Sequence, residues 1–210
     1  MSATPAPPHP PSVATTHHLA RRPLVATLLA GDPDLLVVCG LGAPAWDATA
    51  AGDRDRTFPL WGAMGGAVPM GLGLALARPR DRVLVLTGDG EMLMGMGSLS
   101  TVGFQQPPNL AVVVLDNERY GETGGQLTHT ARYTDLAAVA AACGWPTTFT
   151  ITDPAEADRL AERIWSAPGP RLVVAKISAH NEPLVLPPRD GTVLRERFRR
   201  AVLGADSGSV

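Results

Sequence analysis

The sequence predicts an open α/β fold, a parallel sheet of about five or six strands with helices on both faces. Three observations carry that expectation. Short apolar runs at 34–39, 82–87, 109–116 and 171–177 lack the in–out alternation of a half-solvated sheet and read as strands buried on both faces. Segments with helical spacing separate them, which is the pattern of strand–helix–strand crossovers. Glycine- or acid-rich loops follow three strands directly, at 40–42, 88–90 and 116–125. In such sheets these loops share the carboxyl edge, where ligands bind.

Each element has a local reason. Residues 1–18 hold five prolines in their first eleven positions and show no apolar period. They cannot bury enough surface to offset ordering entropy, so the expectation is a disordered tail with His9, His17 and His18 solvated. Residues 19–30 have helical spacing and stop at Gly31-Asp32-Pro33. Strand 34–39 runs into Gly40-Leu41-Gly42. Residues 64–77 are small and apolar, with glycines at 65, 66, 71 and 73, and predict a buried helix closely packed by another element. Strand 82–87, helix 91–102 and strand 109–116 follow. Helix 134–143 ends at Gly144, then come strand 147–151, amphipathic helix 154–166 and strand 171–177. The expected organisation is a tail over 1–18, one domain over 19–183, and a basic helix with a tail over 184–210. That last helix, near 192–203, carries Arg195, Arg197, Arg199 and Arg200 and reads as solvated or as a docking surface.

Composition narrows the function classes. The 210 residues fit one domain. Eighteen basic and twenty acidic residues give a net charge of −2, which argues against sequence-independent nucleic-acid binding. No apolar run approaches eighteen residues and no signal pattern opens the chain, so neither a membrane span nor export is expected, and a cytoplasmic location follows. Cys39 and Cys143 are too far apart for a metal knuckle or redox pair and read as core thiols.

The chemistry concentrates in two loops. Thr87-Gly88-Asp89-Gly90-Glu91 ends a strand and opens a helix: the glycines let backbone approach a ligand, and the helix start offers free N–H groups to an anion. Asp116-Asn117-Glu118-Arg119-Tyr120-Gly121 ends the next long strand, with 26 residues between Gly90 and Asn117. That length suits a helix, a loop and a returning parallel strand, which puts Asn117 beside Asp89. A carboxylate, an amide oxygen, a backbone carbonyl and phosphate oxygens form a hard shell suited to Mg²⁺.

Gly88-Asp89-Gly90, 26 residues, then Asn117, preceded by Leu60-Trp61-Gly62-Ala63-Met64-Gly65, resembles the diphosphate-anchoring motif of thiamine diphosphate enzymes. The resemblance covers roughly residues 20–180 and implies the cofactors thiamine diphosphate and Mg²⁺. It places the metal on Asp89, Asn117 and the carbonyl of Arg119, and the diphosphate on Gly88, Gly90, Glu91, Tyr120 and Gly121. It gives Gly62 a carbonyl contact to the aminopyrimidine, and Met64 the wedge beneath the cofactor, a position a core methionine would fill equally well. A small residue commonly follows the second glycine, so Glu91 is expected to point away and complement the helix dipole.

The resemblance matches one domain of an enzyme that needs two. The missing pyrimidine-binding domain supplies an activating glutamate, so an obligate second subunit is implied, in an α2β2 or higher assembly, with 62–76 at the interface. The run Tyr120-Gly-Glu-Thr-Gly-Gly-Gln126 is similar to sulfopyruvate and phosphonopyruvate decarboxylases and to the β subunits of 2-oxoacid:ferredoxin oxidoreductases. Two distant cysteines do not supply the four thiolates of an iron–sulfur cluster, which favours the decarboxylases. The implied activity is a carboxy-lyase converting a 3-sulfo- or 3-phosphonopyruvate-like 2-oxoacid to an aldehyde and CO₂. Carboligation, or a non-catalytic cofactor-binding subunit, shares the same residues. His129 is a candidate proton shuttle or a plain loop histidine, and His180 a weaker candidate. Arg119 and Arg132 are candidates for the substrate's anionic group or ordinary surface arginines.

Overall fold

The computed structural model describes residues 17–204. A six-stranded, wholly parallel sheet forms from β1 (Leu36–Cys39), β2 (Thr57–Pro59), β3 (Val83–Gly88), β4 (Leu110–Asp116), β7 (Thr147–Ile151) and β8 (Arg171–Lys176), in the order β2-β1-β3-β4-β8-β7. Strand β4 is buried along its whole length and β3 as far as Thr87, which is why their sequences read as unbroken apolar runs. Successive residues feed opposite layers. Leu84, Leu86 and Val113 pack with α1 (Arg21–Ala30), α2 (Ala43–Ala50) and α8 (Leu160–Arg163). Val83, Val85 and Val112 pack with α3 (Ala67–Ala77), α5 (Ser98–Gln105) and α6 (Leu136–Ala142). Burying one such side chain is worth about 1.5–3 kcal/mol, so two facing layers specify register strongly.

The chain winds from β1 out to the edge strand β2, then returns to place β3 on the other side of β1. That reversal is a topological switch point. The loops after β1 and β3 leave toward opposite layers and open a crevice at the carboxyl edge.

Several expectations change in detail. The helix expected over 91–102 is two, α4 (Asp89–Met94) and α5, broken at Gly95-Met96-Gly97. The break has a packing reason: a Cβ on Gly95 would sit 2.5 Å from the carbonyl oxygen of Gly65, so the bare backbones touch there. The helix over 154–166 is likewise two short turns, α7 (Pro154–Asp158) and α8. The segment 64–77 forms α3 only from Ala67, and one side of it is exposed, with Met70 and Leu76 outward. Absent from the expectation were α2, β2, the two-residue hairpin β5 (Arg119–Tyr120) with β6 (Gln126–Leu127), and a 3₁₀ turn at His129–Ala131. Each is three residues or fewer or, in α2, alanine-rich with no clear apolar period.

The basic helix is present as α9 (Gly191–Leu203), started by the Asp190 side chain, which accepts from Thr192 N and Val193 N at 2.8 and 3.2 Å. It docks on its own sheet edge: Phe198 meets Phe58 edge-on at 5.4 Å, and Arg197 donates to both Asp53 carboxylate oxygens at 2.6 and 2.8 Å. The expected tails fall mostly on residues 1–16 and 205–210, outside the described residues, as does His9. His17 is described and is not a solvated tail side chain: its Nε2 lies 3.1 Å from Glu118 Oε1, and each side chain is 12% exposed. His18 is exposed. Cys39 is buried and Cys143 half-buried against the core, both free thiols. No helix among the described residues is long and apolar enough to cross a membrane.

Candidate functional site

The three loops expected on one edge do converge. A cavity of about 880 Å³ is lined by Leu41, Ala43 and Pro44 after β1, by Gly88, Asp89, Gly90 and Glu91 after β3, and by Asn117 and Arg119 through Thr123 after β4. Met64 reaches it from the loop before α3, and Ile177 with His180 through Leu184 close the side beyond β8. The parallel register makes this inevitable once the strands pair, because Gly88 lies opposite Leu115, two residues before Asn117.

Asp89 begins α4 and is almost wholly buried. Thr128 Oγ1 donates to its Oδ2 at 2.6 Å. Desolvation, then the nearby charge of Asp116, pushes the Asp89 carboxyl up to about 7, against the pull of the Thr128 hydrogen bond. Asp116 is just as buried but has a cation. Lys176 Nζ sits 2.8 Å from Asp116 Oδ2, and Thr130 Oγ1 donates to Asp116 Oδ1 at 2.8 Å. Asp89 is thus a buried acid with hydroxyl partners and, among the described residues, no positive one, which is the environment a divalent cation would complete. Among the described residues no group of three or more His, Cys, Asp or Glu is arranged to hold a metal.

Glu91 lies in the first turn of α4 as expected, but its role is larger than complementing the dipole. The buried carboxylate accepts from Thr87 Oγ1 at 3.0 Å and from Ala67 N at 3.3 Å, with further backbone support from Gly65 and Leu41. Burial pushes its pKa up against those hydrogen bonds. It occupies the space where a Cβ on Gly40 would fall, so a side chain there would displace the Glu91 carboxylate. Glu91 therefore ties the loop after β1 to the segment carrying Met64. On the far side, the Glu122 carboxylate lies against Gly42, which joins the 121–125 loop to the loop after β1. Gly90 similarly admits the Tyr120 ring, 2.7 Å from where a Cβ would be.

Of the expected cofactor contacts, Met64, Gly88, Asp89, Gly90, Glu91, Asn117, Arg119, Tyr120 and Gly121 all line the cavity; Gly62 is exposed and does not. His129 and Arg132 are exposed and outside the lining, whereas His180 is in it. Arg119 lines the cavity, and its guanidinium donates to Gly125 O at 3.0 Å. The expectation missed Thr128, Thr130, Asp116 and Lys176. The available signals were thin, a Thr-x-Thr pair and the single lysine of the chain.

An open parallel sheet with a buried acid and bare backbone at its switch point defines an α/β ligand-binding domain. Residues 46–175 match the family model described as thiamine pyrophosphate enzyme, C-terminal TPP binding domain, and the chain belongs to that family. It is 37% identical over 170 residues to sulfopyruvate decarboxylase subunit beta of Methanocaldococcus jannaschii, covering 80% of this chain and 88% of that one. It is 40% identical over 141 residues to phosphonopyruvate decarboxylase of Streptomyces viridochromogenes, covering 67% of this chain but 35% of that longer protein. Among solved structures, benzoylformate decarboxylase from Polynucleobacter necessarius superposes with a TM-score of 0.62 at 21% identity, over 79% of this chain and 34% of that one. That last likeness is one of fold.

Proposed function

We propose that this chain is the diphosphate-binding subunit of a two-subunit, thiamine diphosphate-dependent 2-oxoacid decarboxylase. One observation carries the reading: Asp89, Gly90, Asn117, Tyr120 and Gly121 converge on one cavity beside an apolar face exposed among the described residues. In this reading residues 19–183 form the cofactor-binding unit. Mg²⁺ is held by the Asp89 carboxylate, the Asn117 amide oxygen and the Arg119 carbonyl, and phosphate oxygens complete the hard-oxygen shell. Backbone at Gly88, Gly90, Glu91, Tyr120 and Gly121 meets the diphosphate, Gly62 offers its carbonyl to the aminopyrimidine, and Met64 supports the cofactor from below. When bound, thiamine diphosphate supplies a nucleophilic carbon and an electron sink for loss of CO₂. This chain's own residues bind, orient and exclude water, and no step is assigned to His129.

The names of the relatives support a substrate with an anionic 3-substituent, of the sulfopyruvate or phosphonopyruvate kind, released as an aldehyde. Arg119 is the arginine of the expected pair that reaches the cavity. The β-subunit name of the relative supports an obligate partner. That partner carries the pyrimidine-binding domain and the activating glutamate, in an α2β2 or higher assembly located in the cytoplasm. Calorimetric titration of thiamine diphosphate with Mg²⁺, on this chain with and without the product of a neighbouring gene, tests the reading. Tight binding in the mixture, with CO₂ release from sulfopyruvate or phosphonopyruvate, is the expected result. Robust decarboxylation by this chain alone overturns the split site.

A further inference from the structure

Asn117 is flanked by two acids, and one lysine holds both. Lys176, at the end of β8, places Nζ 2.8 Å from Asp116 Oδ2 and 2.8 Å from Glu118 Oε1. The same ammonium lies 3.4 Å from the carbonyl oxygen of Thr130, so its three donors all have acceptors. Parallel pairing brings this about, since Asp116 lies opposite Lys176 in the β4–β8 register. It is the only lysine in the chain; the other seventeen basic residues are arginine. A compact ammonium reaches two carboxylates and a carbonyl around one point, which the planar fork of arginine does less well.

The turn between those two acids has an unusual backbone. Glu118 has φ +60°, in the left-handed region where glycine is the ordinary occupant. A glutamate there needs a compensating grip, and its carboxylate has one on each side, Lys176 and, at 3.1 Å, His17. Within the turn Asp116 Oδ1 accepts from Glu118 N at 3.0 Å, and Asn117 Oδ1 accepts from Arg119 N at 3.0 Å. The left-handed residue thus lies between the Asn117 amide and the Arg119 carbonyl. The grip also extends toward Asp89. Thr130 donates to Asp116 and contacts Thr128 Oγ1 at 2.9 Å, and Thr128 donates to Asp89. One connected network therefore runs from Lys176 to both loops after β3 and β4.

Resting on the assignment of Asp89, Asn117 and Arg119 as cation ligands, we propose that Lys176 is a positioning residue for that cation. By clamping Asp116 and Glu118 it holds the left-handed turn that presents Asn117 and Arg119 opposite Asp89. A second role for the same ammonium, simple charge balance, predicts the opposite sign. Removing a positive charge near a cation site strengthens cation binding by electrostatics alone, whereas loosening the turn weakens it.

The test uses the full chain mixed with its partner subunit, with Mn²⁺ as the probe and inorganic pyrophosphate in excess, followed by electron paramagnetic resonance of free Mn²⁺, with a thermal melt of each variant. Residues that support metal ligands from behind are worth about 10–100-fold in affinity, so Lys176→Met is expected to weaken Mn²⁺ binding roughly tenfold, and Lys176→Arg, which keeps the charge and part of the grip, roughly threefold. Unchanged or tighter binding in Lys176→Met overturns the positioning role. Should Lys176→Met fail to fold, Glu118→Gln loosens the same clamp from its other end. It is expected to weaken Mn²⁺ in the same direction, and unchanged affinity there counts against the proposal. Asp89→Ala separates the two levels. If Mn²⁺ binding survives in Asp89→Ala, or is absent in the wild-type chain, the cation assignment itself falls and the clamp with it. If Asp89→Ala abolishes binding while Lys176→Met does not weaken it, only the clamp falls.

Discussion

The two sides of the sheet are finished to different degrees. On one side α1, α2, α7 and α8 cover β1, β3 and β4, and Asp47 is fully buried between Arg21 and Arg22. On the other side α3, α5 and α6 cover the sheet equally well, but the outward surface of that layer stays apolar. Met70 and Leu76 on α3, Met94 and Met96 between α4 and α5, and Phe104 on α5 are all exposed, with Trp61 and Met64 just before α3. Phe104 is 84% exposed. Scattered exposed apolar residues are ordinary; a group of large ones on one helical layer marks an interaction surface. The cleft lies where the two sides part, so one wall is complete and the other borders a surface that needs a partner.

The largest expected effect separates the cleft from that surface. Asp89→Asn keeps an acceptor for Thr128 but removes the carboxylate. Because supporting residues alone are worth about 10–100-fold, loss of this ligand is expected to cost about 100-fold or more in Mg²⁺-dependent thiamine diphosphate affinity. Association with the partner should persist by analytical ultracentrifugation; joint loss of both would merge the two regions into one. Next, Met70→Glu or Leu76→Glu places a charge on the open layer. The chain alone is expected to hold its stability within about 0.5 kcal/mol, as surface changes do. Partner affinity is expected to fall by about 2 kcal/mol, the scale of an interface hot spot. Partner affinity unchanged from wild type in both variants would show that the exposed layer is not the docking face.

Two glycines of α3 sharpen the contrast within a single helix. Gly71 faces the sheet, where a Cβ would overlap a Val85 methyl group, while Gly73 faces open space. Gly71→Val is expected to destabilise the chain by about 1–3 kcal/mol in urea unfolding. Gly73→Ala is expected to stabilise it by about 0.5–1 kcal/mol through helix propensity. The smallest effect is a pH dependence. Hydrogen bonds and charge from Asp116 and Glu118 raise the Lys176 pKa above its ordinary 10.5, against a desolvation that lowers it. A folded pKa above the unfolded one gives stability that is complete below the unfolded value and lost as pH rises through the folded one. The urea midpoint is therefore expected to drop above pH 10.5, and Lys176→Met to lose that part of the decline.

Much of this was legible in the chain itself. Continuous apolar strands alternating with helical segments specify a covered parallel sheet, because only strands buried on both faces dispense with alternation. Gly88-Asp89-Gly90 and Asn117, each closing such a strand, then had to meet at one edge. The short elements were illegible for the same reason. Thr57–Pro59 and the Arg119–Tyr120 hairpin are held by neighbours rather than by any period of their own, and the helix over 91–102 breaks where Gly95 touches Gly65.

Sequence by itself determined the fold class and the two loops that meet at one sheet edge, since periodicity and spacing are local properties of the chain. Tertiary structure alone decided that Glu91 turns inward to tie two loops, that Lys176 straddles Asn117, that α9 closes its own sheet edge, and that His129 stays outside the cavity while His180 lines it. Those outcomes depend on which residues from distant segments become neighbours. A buried charge takes its role from the partners that folding brings to it.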